Sequence, residues 1–271
     1  MEKSSRRYLE PWFLVEVFCL VNLGFLTLDI LLAHSFNEFR KWQEYVPLYF
    51  SASSPFVLGI GLILRPRWRA VWADLGYFVG WGAILIGLTG VVLHLDSSFF
   101  YERTIRSLTY SAPFIAPLAY SGVGFLLVMN RMVDPESREW AQWALFFVWG
   151  GFVGNFGLTL SDHAENGFFY PAEWVGVAAS AIAVGFLIVP LLLVRVSRSF
   201  LLLCALIMFA ESAVGVWGFF LHATGNLHGP SVHMLKKFTF GAAPFAPLLF
   251  PNLAALGLIA LWQLGRFPAE T

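Results

Sequence analysis

FLLLCALIMFAESAVGVWGFFLH, residues 200–222, runs for 23 positions with Glu211 as its one charged side chain and ends on His222. About 20 apolar residues cross the roughly 30 Å of a bilayer's hydrocarbon as a helix, so this stretch reads as a transmembrane helix. Comparable blocks lie at about 11–33, 46–64, 71–94, 108–130, 141–162, 172–194 and 239–263. The sequence therefore predicts an all-α membrane protein of eight transmembrane helices. Ten-residue alternating segments, the mark of a membrane β-barrel, are absent.

Composition agrees. With 58% hydrophobic and 13% charged residues and a mean hydropathy of +0.69, the chain has too little polar surface to cover a soluble globule. The lipid bilayer is its expected surroundings. Seventeen basic residues balance 17 acidic ones, and no dense Lys/Arg cluster offers a nucleic-acid surface. Cys19 and Cys204 stand alone in apolar blocks, with no CxxC spacing. MEKSSRRYLE resembles the basic region of a signal peptide, but the apolar stretch behind it is long and lacks an A-x-A site, so it reads as the first span.

Eight spans put both termini on one side. Lys3, Arg6, Arg7, Arg65, Arg67, Arg69, Arg131, Arg138, Arg195, Arg198 and Arg266 fall on that side, against Arg40, Lys41, Arg103, Arg106, Lys236 and Lys237 on the other. Because Lys and Arg in short loops are retained in the cytoplasm, both termini are expected there, in a bacterial-type inner membrane.

GLTGVVLHL at 87–95 is echoed by GVWGFFLHA at 215–223, PFIAPL at 113–118 by PFAPL at 244–248, and NLGFLTL at 22–28 by NFGLTL at 155–160. The matches keep their order at nearly one offset, which predicts a parallel duplication of a four-helix unit, residues 1–138 and 139–271. The competing account is that GxxG spacing and proline are common in membrane helices. Pro55, Pro113, Pro117, Pro244, Pro247 and Pro251 are expected inside spans. The kinks they impose would open the second and fourth helices of each half toward the outer face.

All six histidines fall on the outer side of this topology. His34, His94, His163 and His222 end spans 1, 3, 5 and 7, while His228 and His233 lie in the last outer loop. Around them stand Glu38, Glu44, Asp96, Glu102, Glu173 and the dense segment SDHAENGFFYPAEW, with Asp162 and Glu165. Imidazole ligates copper, zinc or iron, carboxylates complete or orient such sites, and haem iron takes axial histidines over an apolar pocket. No HxxxH or HExxH spacing names the metal. Capping of helix C-termini, where a histidine suits the dipole, is the competing account, and proton transfer a third. A shared metal site requires the four span-end imidazoles to converge within about 5 Å.

Ionisable groups within spans are the second pointer, because a mid-bilayer carboxylate costs about 2.5–3.5 kcal/mol. Glu211 lies 11 residues before His222, three turns down nearly the same face, and with Glu16 and Asp29 forms a candidate proton or ion path. A protonated glutamic acid bonded to a neighbouring helix is the structural alternative. P-loop, GxGxxG, GxSxG and an in-span lysine are all missing, which argues against ATP hydrolysis, dinucleotide binding, serine hydrolysis and a rhodopsin-like chromophore.

Two parallel four-helix halves with histidines at outer helix ends are similar in outline to haem A synthases and CopD-type copper proteins. The likeness is of architecture, and no segment matches the acidic and histidine motifs of a haem A synthase. Three functions follow as expectations: metal or haem binding for handling, cofactor assembly or electron transfer; proton- or cation-coupled transport; or a structural subunit of a membrane complex.

Overall fold

The structure is a computed structural model describing residues 10–193 and 195–267. The positions of Lys3, Arg6 and Arg7 lie outside the described residues. Eleven α-helices are described: α1 (Pro11–Ser35), α2 (Tyr45–Leu64), α3 (Arg69–Leu95), α4 (Phe99–Glu102), α5 (Ile105–Thr109), α6 (Leu118–Met132), α7 (Arg138–Glu165), α8 (Glu173–Leu192), α9 (Arg198–Leu227), α10 (Met234–Thr239) and α11 (Leu249–Leu264). No strand occurs among the described residues.

Local chemistry sets several helix starts. Pro11 opens α1 with a φ suited to the first turn and no orphan N–H to satisfy. Ser137 and Ser197 cap α7 and α9, their hydroxyls accepting from the Trp140 and Phe200 amides at 3.1 and 3.2 Å.

Among the described residues seven helical segments are long and apolar enough to cross a membrane, so the chain is an integral membrane protein. The expected span at 108–130 differs. Its helical part, α6, has 15 residues and covers about 22 Å at 1.5 Å per residue. Pro113 and Pro117 are the reason: they precede α6 in a non-helical segment and do not kink a continuous helix. The expected 239–263 span begins late for the same cause, with Pro244 and Pro247 before α11 and Pro251 in its first turn. Pro55 and Pro190 do lie within helices.

α1, α2, α3 and α6 pack in a closed ring of neighbours, and α7, α8, α9 and α11 in another. Contacts of α6 with α7 and of α1 with α11 join the rings. At the latter, Asn22 and Asn252 exchange side-chain hydrogen bonds, one of 3.1 Å. Close approach depends on glycine. A Cβ at Gly87 would stand 2.3 Å from Ser121 Oγ and 2.8 Å from the Pro117 carbonyl oxygen; one at Gly215 would stand 2.3 Å from Pro251 Cδ and 2.6 Å from the Pro247 carbonyl oxygen. Large apolar side chains such as Phe56, Ile63, Phe78 and Leu206 face outward, as lipid contact requires.

Candidate functional site

The span-end histidines meet in two pairs. His34 at the end of α1 and His94 at the end of α3 have ring centres 6.3 Å apart. His163 at the end of α7 and His222 near the end of α9 have the same separation, 6.3 Å. Among the described residues no hydrogen bond, ion pair or ring contact links one pair to the other, and no group of three or more His, Cys, Asp or Glu is placed to hold a metal ion.

Each pair is held from behind. His94 Nδ1 lies 2.9 Å from the Pro113 carbonyl oxygen, and His222 Nδ1 lies 2.8 Å from that of Ala243. A carbonyl only accepts, so both Nδ1 atoms carry the hydrogen, and a neutral ring then presents a bare Nε2 lone pair. The partner rings face carboxylates: His34 Nδ1 stands 3.4 Å from Glu44 Oε2, and His163 Nδ1 stands 3.7 Å from Glu173 Oε2. The carbonyl backing of His94 and His222 is the usual outer support of a metal-ligating imidazole, whereas the carboxylate contacts are not hydrogen bonds: His34 Nδ1, Glu44 Oε2 and Glu173 Oε2 have no hydrogen-bond partner among the described residues.

The loops that carry these groups share their conformation. Phe39 packs near His34 and stacks on Tyr45, while Phe168 packs near His163 and stacks on Trp174. Phe39 and Phe168 both adopt left-handed backbone, with φ of 49° and 52°. Non-glycine residues rarely do so, and the chain accepts the cost where it turns from a histidine-ended helix toward its glutamate.

The other predicted residues lie elsewhere. His228 hydrogen-bonds the Thr224 carbonyl at 2.7 Å as it ends α9, which is the capping role. Exposed His233 precedes α10, where its amide donates to Ser231 Oγ. Asp162 is half-buried and Glu165 exposed, and neither forms a hydrogen bond or ion pair with a histidine among the described residues. Asp29 is half-buried one turn and a residue before His34. Glu211 is buried in α9 and its Oε2 has no hydrogen-bond partner. Glu16 is committed to an ion pair with Arg131, 2.7 Å from Oε1 to a guanidinium nitrogen.

The site's supporting glutamates were not separable from the other outer carboxylates by residue type. A signal did exist: Glu44 follows His34, and Glu173 follows His163, by the same ten positions. Carbonyls from Pro113 and Ala243 carry no sequence signal of their own.

Compared with known proteins, the chain matches no family model, no curated sequence and no solved structure.

Proposed function

We propose that the chain is a membrane haem protein in which each histidine pair holds one haem iron through its two Nε2 atoms, for electron transfer or haem handling. The ring separation carries this reading. With a metal–nitrogen bond of about 2.0–2.1 Å, and about 1.2 Å from a ring nitrogen to the ring centre, imidazoles on opposite sides of one metal stand about 6.4 Å apart. Around a tetrahedral ion the same bonds give about 5.2 Å. The 6.3 Å in both pairs lies nearer the first value, and it is also an ordinary spacing for an edge-to-face ring contact. Bound haem would supply one-electron chemistry. His34, His94, His163 and His222 would hold its iron, the Pro113 and Ala243 carbonyls would orient the His94 and His222 rings, Glu44 and Glu173 would stand beside the other two, and the Phe39–Tyr45 and Phe168–Trp174 stacks would provide apolar flanks.

The reading includes a duplicated four-helix unit, with α6 as the eighth crossing and the histidine ends on the outer face of a bacterial-type inner membrane. Its support is side-chain correspondence. His34 and His163, Phe39 and Phe168, Glu44 and Glu173, and Tyr45 and Trp174 are each 129 positions apart, while His94 and His222 are 128 apart. The NLGFLTL echo is offset by 132 to 133 and is out of step with these pairs. Purified protein titrated with haem should develop a Soret band with the sharp visible bands of six-coordinate iron. Absence of that spectrum, together with retention of copper or zinc, would favour a metal-ion site.

A second reading, proton or cation movement, draws on Glu211. Its Oε2 is buried without a hydrogen-bond partner among the described residues, on the helix that carries His222. Glu211→Gln should slow proton flux into dye-loaded liposomes roughly a hundredfold or more, the scale of a lost proton-transfer group, while leaving the haem spectrum unchanged.

A further inference from the structure

At the histidine end of the molecule, residues 110–117 join α5 to α6 and residues 240–248 join α10 to α11. α5 packs on α7, and α10 packs on α1, so the loop of each ring of helices touches the first helix of the other ring. The crossing is reciprocal. A Cβ on Gly157 of α7 would stand 2.9 Å from Ile115 Cδ1, and one on Gly154 would stand 3.4 Å from Ile115 Cγ2, so Ile115 fills the notch those glycines leave. Phe245 meets Phe25 of α1 edge to face, with ring centres 4.9 Å apart, and Phe240 meets Phe36 at 5.4 Å.

Ile115 and Phe245 each stand two positions after a carbonyl that a histidine uses. Pro113 accepts from His94 Nδ1 at 2.9 Å, and Ala243 from His222 Nδ1 at 2.8 Å. The residue before each carbonyl is tied to its own ring. Ala112 donates its amide to Ser97 Oγ at 2.9 Å, and that hydroxyl donates to the His94 carbonyl at the end of α3. Ala242 donates its amide to Asn226 Oδ1 at 2.8 Å and accepts from Asn226 Nδ2 at 2.7 Å, near the end of α9. A peptide plane held at one end still turns about the soft φ and ψ bonds at the other. Ile115 and Phe245 supply the second hold, and they take it from the opposite ring.

We infer that each histidine pair is completed from the opposite ring of helices, with Ile115 positioning the Pro113 carbonyl for His94 and Phe245 positioning the Ala243 carbonyl for His222. The consequence is specific. α1 carries His34, yet its Phe25 supports His222 of the other pair; α7 carries His163, yet its Gly154 and Gly157 seat the residue behind His94. The bearing of this on haem rests on the function proposed above, whereas the positioning of the imidazoles is testable without haem.

The test is ¹⁵N nuclear magnetic resonance of haem-free, full-length protein labelled at histidine in nanodiscs, with signals assigned from His94→Gln and His222→Gln. An Nδ1 hydrogen bonded to a carbonyl is shifted downfield and protected from exchange with water. Phe25→Ala should move the His222 Nδ1–H signal upfield, speed its exchange about tenfold, the scale of one weakened hydrogen bond, and leave His94 unchanged. Phe25→Leu should restore most of the protection. Gly157→Leu, which fills the notch, should move His94 and spare His222; if it fails to fold, Ile115→Ala empties the notch instead and should move His94 alone. Both signals moving together, as in a loosened fold, or neither moving, overturns the inference. In haem-loaded protein the same variants should weaken binding about tenfold at the supported pair only, the lower end of the cost of losing an outer partner. Failure of the unaltered chain to bind haem would remove the haem reading and leave the resonance result standing.

Discussion

His163 and His222 meet edge to face across the ends of α7 and α9, their ring centres 6.3 Å apart and their planes at 89°. Helix capping alone requires no such meeting, because a capping histidine needs only the carbonyls of its own last turn. His228 shows that simpler arrangement. In the pairs, Nδ1 instead reaches a carbonyl 19 or 21 positions away, or faces a carboxylate across a loop.

The Glu16–Arg131 pair has a defined stability signature. Glu16→Gln should destabilise the fold by about 3–5 kcal/mol, because it leaves a buried guanidinium uncompensated. Replacing both partners with leucine should recover most of that loss. Detergent-induced unfolding followed by circular dichroism measures both, and additive losses in the double variant would count against a coupled pair.

Close packing at glycine predicts a second contrast. Gly215→Ala should cost about 1–3 kcal/mol, since its Cβ meets Pro251 and the Pro247 carbonyl and neither can retreat along a flexible chain. Gly185→Ala meets nothing within 4 Å and should be neutral or slightly stabilising in the same assay.

Orientation is open to chemical labelling. Phe169, 83% exposed in the loop after α7, carries a target for Phe169→Cys, and exposed Arg67 one for Arg67→Cys. A membrane-impermeant maleimide should modify Phe169→Cys in intact spheroplasts and Arg67→Cys only after lysis. The buried thiols of Cys19 and Cys204 should add little background. The reverse pattern would invert the topology.

Much of the architecture was legible because lipid imposes a simple rule. Seven of the eight apolar blocks form helices long and apolar enough to cross, six of them close to their expected limits and the last starting late, at Ala246. The departure at 108–130 is a proline effect: hydropathy counts Pro113 and Pro117 as compatible with a span, while the missing amides and ring sterics keep the backbone out of the helix until Leu118. That His34, His94, His163 and His222 stand near helix ends was legible too, but their pairing was not. One shared site was expected, whereas each histidine meets the one from the next-but-one span, because α1 and α3, like α7 and α9, bring their ends together within one ring of helices. Glu16 could be placed within a span, but its partner at Arg131 lies 115 positions away and local pattern does not encode it.

The most direct measurement of the central claim is haem stoichiometry, set against the histidine variants. Protein saturated with haem and freed of excess should contain two haems per chain, falling to one in either His94→Ala or His222→Ala and to none in the double variant. An unchanged ratio in the single variants, or no retained haem in the unaltered chain, would contradict the two-site account.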